Sequence, residues 1–263
     1  MEINKIYNEN CLETTAKMTD GFVDLTVTSP PYDNLRTYNG YSFDFEAVAK
    51  ELYRVTKQGG VVVWVVGDAT VKGSETGTSF RQALYFKEIG FNLHDTMIYA
   101  KENFVPLTHR RYEQQFEYMF VFSKGFPATF DPIKIPCKNA GIKIQRNSKY
   151  EHAVRGRKHT FDTSENKIKP NIWFYKIGTN CTTKDKAAFG HPALFPEQLA
   201  NDHIISWSDE GDLVYDPFMG SGTTAKMAII NKRNWIGSEI SKEYCEIAEK
   251  RINEIMILGG RGE

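Results

Sequence analysis

Cysteine is scarce in this chain: four in 263 residues, at positions 11, 137, 181 and 245, with no two in a CxxC pair. That spacing gives neither a zinc ribbon nor a disulfide framework, so no metal site is expected. Long apolar runs are missing too. None approaches the roughly 20 residues that span a bilayer, and the opening MEINKIYNEN lacks the apolar core of a signal peptide. A cytoplasmic protein with no membrane partner is expected. Net charge is also absent, since 33 Lys and Arg balance 33 Asp and Glu. No overall positive excess advertises nucleic acid, but the balance is not local. Between residues 131 and 176 eleven basic residues face four acidic ones, an excess of +7, and the rest of the chain carries −7.

What is present alternates. Apolar, β-branched runs at 23–28, 61–66 (VVVWVV), 95–100, 117–122, 213–215 and 234–238 read as strands covered on both faces. Amphipathic helical patterns lie between or beside them at 43–60, 79–90, 191–207 and 241–256. Alternation of this kind predicts an α/β fold with a doubly wound, mostly parallel sheet. The pattern breaks at 125–185, which is basic and punctuated by Gly and Pro. We therefore expect two halves of one core, 1–124 and 186–258, around an insert at 125–185. Oligomeric state is not legible.

Two corners concentrate the chemistry. In the first, a strand runs into Ser29-Pro30-Pro31-Tyr32. Two prolines remove backbone donors and fix φ, so the strand ends on a stiff turn that holds a hydroxyl, a carbonyl and an aromatic ring in set positions. In the second, the strand ending at Asp216 enters Pro217-Phe218-Met219-Gly220-Ser221-Gly222-Thr223, a Gly-rich turn opening a helix. Such a turn suits a polar or anionic ligand. No lysine precedes Thr223, so a triphosphate-binding P-loop is excluded. About twenty residues further on, Glu239 closes the next strand, a position at which a carboxylate takes ribose hydroxyls. A nucleoside cofactor without a triphosphate is the expectation.

Taken together these motifs resemble the β-group of DNA methyltransferases that modify exocyclic amines. TSPPY (28–32) resembles the family's catalytic motif, DPFMGSGTT (216–224) its S-adenosylmethionine motif, and HPALFPEQL (191–199) the helix on the cofactor side. KPNIWFY (169–175) is similar to the segment leading back from the target-recognition insert. The resemblance implies a class I S-adenosylmethionine-dependent methyltransferase fold. It makes Ser29, Pro30, Pro31 and Tyr32 catalytic, and Asp216, Pro217, Phe218, Gly220, Ser221, Gly222, Thr223 and Glu239 cofactor-binding. Where the family carries an acidic residue before the catalytic strand, this chain has Asn10, which keeps an acceptor and gains a donor.

On that resemblance the substrate is double-stranded DNA. The Ser29 oxygen and the Pro30 carbonyl would accept from the target amine as it turns tetrahedral, with Tyr32 stacked on a base flipped out of the helix. Ser before Pro-Pro favours cytosine N4 over adenine N6. Arg155, Arg157 and Lys158 in the insert, with Arg110 and Arg111 outside it, are the expected DNA contacts. A companion restriction endonuclease is a possible partner. Two other readings remain open: a non-catalytic DNA-binding module that kept the fold, and RNA in place of DNA as the substrate. A carbon-5 enzyme would use Pro136-Cys137 with Glu102-Asn103, but these come in the wrong order, so Cys137 is taken as incidental.

Overall fold

In the computed structural model of the chain, the described residues are 1–31, 43–103, 110–147, 158–162, 164–178, 181–183, 185 and 195–259. The side chains of 143–147, 158–162, 258 and 259 are outside the description. In chain order the elements begin with β1 (Lys5–Tyr7), α1 (Cys11–Ala16), β2 (Val23–Thr28), α2 (Phe45–Val55) and β3 (Thr56–Val66). A small hairpin of β4 (Thr70–Val71) and β5 (Ser74–Glu75) precedes α3 (Thr78–Glu88), β6 (Asn92–Lys101) and β7 (Phe116–Ser123). Then come β8 (Lys134–Pro136), β9 (Lys143–Asn147), β10 (Lys158–Asp162), β11 (Asn166–Ile168) and β12 (Ile172–Tyr175). The chain closes with α4 (Glu197–Trp207), β13 (Leu213–Asp216), α5 (Thr223–Ile230), β14 (Asn234–Ser238) and α6 (Lys242–Gly259).

Eight strands form one sheet in the order β1-β14-β13-β2-β3-β7-β6-β12. From β1 to β3 every pairing is parallel, β7 is antiparallel to both β3 and β6, and β12 runs parallel to β6. The C-terminal ends of β14, β13, β2 and β3 therefore share one edge of the sheet, where ligands of open α/β sheets bind. Strand β3 carries the densest core: from Val61 to Val66 every side chain is buried. Trp64 is fully buried because its indole N–H donates to Gln82 Oε1 at 2.8 Å, the polar handle that a buried tryptophan needs.

The helix expected over 43–60 is shorter. Helix α2 stops at Val55, and Thr56 turns to extended backbone at φ −70° and ψ 131°. Strand pairing takes over there, with Thr56 opposite Val23 and Val61 opposite Leu25 of β2, and the Lys124 ammonium donates to the Tyr53 carbonyl at 2.7 Å and to that of Thr56 at 2.9 Å. A cation at a helix C-terminus stabilises the free carbonyls there. Helix α4 likewise begins only at Glu197, after Pro196; residues 191–194 lie outside the description.

Two compact units result, one of Met1–Asp131 with Asn171–Glu263 and one of Pro132–Pro170. The separate unit is narrower than the 125–185 read from composition. The reason is β12: Ile172 to Tyr175 pair in register with Ile98 to Lys101 and join the main sheet. Within the smaller unit, β8 pairs with β11 and β9 with β10, both antiparallel. Among its described side chains none is buried. Two-stranded ladders without a covered face are marginal by themselves.

Candidate active site

The two corners meet because β2 and β13 are neighbours. Val214 pairs with Leu25 and Tyr215 with Thr26, so the strand ends that carry Ser29-Pro30 and Asp216-Pro217 lie side by side. A hydrogen bond closes the gap: the Thr28 hydroxyl donates to Asp216 Oδ1 at 2.7 Å, and the Phe218 N–H donates to the same oxygen at 3.0 Å. Asp216 is buried, and burial pushes its carboxyl above the ordinary range against the hydrogen bonds from Thr28, Thr224 and Phe218. The hydroxyl of Thr224, the second residue of α5, donates to the Val27 carbonyl at 3.2 Å. The Ser29-Pro30 corner and the Gly-rich turn are thus joined by two hydrogen bonds from the β2 side.

Glu239 follows β14 on the other flank. Its Oε2 accepts from the Gly220 N–H and its Oε1 from the Ser241 N–H, both at 2.8 Å. Its carboxyl is raised, first by burial and also by the neighbouring Asp216, while the Ser241 and Gly220 amides pull it down. Each carboxylate oxygen with one donor keeps a second acceptor position, so hydroxyl donors of a ligand still find partners. The turn is tight for a reason. Gly220 and Gly222 have φ of +51° and +81°, the left-handed region that glycine alone enters at little cost. The Met219 side chain lies over Gly237, where a Cβ would stand 1.7 Å from the Met219 Cε.

The sequence-derived residues separate into distinct groups. Ser29 and Pro31 are half-buried and Pro30 is buried, at the end of β2. Tyr32 lies outside the described residues, as do Arg155 and Arg157, and the side chain of Lys158 is outside the description. Pro217, Gly220, Ser221, Gly222 and Thr223 are buried in the turn, and Phe218 is half-buried, its ring 5.2 Å from that of Phe43 and 6.2 Å from that of Trp64. Asn10 caps α1 instead of standing open: its Oδ1 accepts from the Leu12 N–H at 2.9 Å. Asn8, two residues earlier, is the one that reaches the site strand, donating from Nδ2 to the Glu239 carbonyl at 2.8 Å. Arg110 and Arg111 are exposed, and Arg111 is engaged with the β4–β5 hairpin, at the Gly73 carbonyl and at Glu75 Oε1, 3.7 Å away.

Sequence reasoning missed Thr28 and a buried ionic cluster behind the turn. The cluster joins Asp185, Glu197 at the start of α4, Lys226 on α5 and Arg251 on α6. A signal existed: Cys245, Ala248 and Ile252 form the buried stripe of α6, and Arg251 stands on that stripe with 1% exposure. A charge on the apolar face of an amphipathic helix is uncommon unless paired.

The family model described as DNA methylase, of the N6/N4 methyltransferase type, matches residues 23–250. The chain belongs to the DNA methylase family. It is a site-specific DNA methyltransferase of the N4/N6 group, and the matched stretch contains both corners and Glu239. This methylase is 58% identical to the orphan methyltransferase M.BamHII of Bacillus amyloliquefaciens, over 93% of its own length and 94% of the relative's. Among solved structures, the PvuII DNA methyltransferase (cytosine-N4-specific) aligns with a TM-score of 0.69 at 21% identity, covering 99% of this chain and 93% of the other. The M1.HpyAVI–SAM complex aligns with a TM-score of 0.60 at 24% identity, over 94% of this chain and 98% of that one. At these identities the two structures speak for the class I methyltransferase fold. No described helix of the methylase is long and apolar enough to cross a membrane.

Proposed function

We propose that this DNA methyltransferase transfers the methyl group of S-adenosylmethionine to the exocyclic N4 of a cytosine flipped out of double-stranded DNA. The observation that carries this reading is the Thr28–Asp216 hydrogen bond, which places the Ser29-Pro30 corner beside the Gly-rich turn. Bound S-adenosylmethionine would supply an activated methyl group: the amine nitrogen would take it as the carbon–sulfur bond breaks, S-adenosylhomocysteine would leave and the amine would shed one proton, so the chain's part is positioning and acceptors. The amine of cytosine is a poor nucleophile because its lone pair is delocalised into the ring. Ser29 Oγ and the Pro30 carbonyl serve as acceptors for its hydrogens as it becomes tetrahedral, an electrostatic arrangement set in advance by the two prolines. Glu239 takes the ribose hydroxyls and the turn at 220–223 takes the rest of the cofactor. Tyr32 stacks on the flipped base. The preference for cytosine over adenine rests on Ser at position 29, as in the family pattern.

The unit at 132–170 reads the target sequence; its excess of basic residues supports that role. A companion restriction endonuclease is supported only by the name of the relative, the orphan methyltransferase M.BamHII. The test is digestion of DNA modified by the protein, followed by mass identification of the methylated nucleoside. N4-methylcytosine is the expected product. N6-methyladenine would keep the mechanism and overturn the base assignment, and no methylated nucleoside would leave the non-catalytic reading.

A further inference from the structure

Arg251 is fully buried as a side chain, and every N–H of its guanidinium has an acceptor. Nε donates to Asp185 Oδ2 at 3.0 Å. Nη1 donates to the Ser221 carbonyl at 2.6 Å, with the Ser221 hydroxyl at 3.1 Å and the Thr223 hydroxyl at 3.2 Å. Nη2 donates to Glu197 Oε1 at 2.7 Å, with Thr183 Oγ1 at 3.5 Å. Lys226 donates to the same two carboxylates, at 2.7 Å to Asp185 and 2.8 Å to Glu197. Two cations and two anions therefore neutralise one another. Burial pushes the Asp185 carboxyl up, yet hydrogen bonds from Lys226 and Arg251 hold it below the ordinary range.

A buried ion cluster of this kind is poor evidence for stability, because desolvation offsets most of the attraction. Its placement suggests another purpose. The Ser221 carbonyl and the Ser221 and Thr223 hydroxyls, in the turn that the sequence offered to the cofactor, already accept from Arg251. Between them sits Gly222, at φ +81° and with its Cα against Ala248 of α6. The guanidinium thus fixes both sides of the residue on which the turn pivots.

We propose that Arg251 is the positioning residue of the cofactor turn: its fork on Ser221 and Thr223 sets the path along which Gly220, Ser221 and Gly222 present backbone to S-adenosylmethionine. Asp185, Glu197 and Lys226 hold the fork in place. The inference rests on the reading that residues 216–224 bind the cofactor. Only a planar fork can serve Asp185, Ser221 and Glu197 at once; a lysine is a point charge on a flexible stem.

The test compares Arg251→Lys with Phe91→Leu, a core substitution beneath Tyr53 and Phe86 that lowers stability away from the turn. Cofactor affinity is measured by calorimetry at a temperature where both are folded, and steady-state kinetics separate KM from kcat. Arg251→Lys is expected to raise Kd and KM for S-adenosylmethionine about tenfold, the loss of one charge-assisted hydrogen bond's worth of ordering, with kcat at saturation within about twofold. Phe91→Leu is expected to lower the melting temperature and leave Kd alone. Should Arg251→Lys not fold, Glu197→Gln keeps an oxygen for Nη2 but removes the charge that holds it, and a smaller rise in Kd is expected. Glu239→Ala distinguishes the two levels of the reading. Weakened cofactor binding in Glu239→Ala with unchanged affinity in Arg251→Lys, or in Glu197→Gln where that stands in for it, overturns the role of Arg251. Unchanged affinity in Glu239→Ala as well means that the cofactor binds elsewhere, and the proposal falls with its premise.

Discussion

Single residues at this site act through what holds them. Ser29 and Pro30 follow β2 directly, and β2 is clamped to the end of β13 by Thr28 on Asp216. Asp216 is correspondingly a structural clamp: its Oδ1 already takes a hydroxyl and an amide. Glu239 keeps one backbone donor on each oxygen and has acceptor capacity to spare. This division leads to a prediction for Ser29. Ser29→Ala should lower turnover by a factor on the order of 10²–10³, the usual loss for one transition-state hydrogen bond. S-adenosylmethionine affinity should stay within about twofold, since the turn and Glu239 are untouched. Single-turnover methylation beside calorimetry checks both, and full activity in the alanine variant would remove Ser29 from the mechanism.

At the scale of elements, the site depends on how closely α5 approaches α6. A Cβ on Gly222 would stand 2.8 Å from the Ala248 Cβ and 3.2 Å from its Cα. The contact is with the backbone of a packed helix rather than with a flexible tip, so relief requires α6 to move. Gly222→Ala therefore adds a left-handed alanine to an overpacked contact and should cost on the order of 2–4 kcal/mol of stability. Urea unfolding checks this through a lower midpoint at unchanged slope. Because α6 carries Arg251, the same displacement should weaken cofactor binding. An unchanged midpoint would show that the two helices part without cost.

For the whole molecule the division of labour lies between a well-buried α/β unit and a smaller unit, Pro132–Pro170, none of whose described side chains is buried. A segment with so little core gains little from folding for its own sake, and its basic composition suits a partner that supplies phosphates. If that partner is duplex DNA, replacing Arg155, Arg157 and Lys158 together by Ala should flatten the slope of log K against log salt. The change should be roughly two to three units when all three touch phosphates, at about −0.9 per contact. Fluorescence anisotropy across a salt series measures the slope, and cofactor affinity should not change. An unchanged slope with unchanged sequence preference would make the cluster a solvated face and move the DNA-reading surface elsewhere.

Much of the fold and half of the site were legible in the sequence because their causes are local. Proline and glycine restrict φ and ψ wherever they stand, so Ser29-Pro30-Pro31 and Gly220-Ser221-Gly222 announce their corners without reference to the rest of the chain. The β-branched runs announce strands in the same way, and the motifs that follow them identify the family. Other features need partners that no local pattern names. The end of α2 was set by strand pairing and by Lys124, about 70 residues away in the chain. Ile172 to Tyr175 looked like part of the insert until a neighbour in the sheet claimed them. Asn10 proved to be a helix cap, while Asn8 reached Glu239 across 231 positions. Thr28 meets Asp216 across 188 positions, and Arg251 meets Ser221 across 30. Amino-acid order determined which turns could form and what chemistry each could offer. Only the tertiary structure decided which of those groups already have partners, because a hydrogen bond between distant residues exists only once the sheet order has brought their strands together.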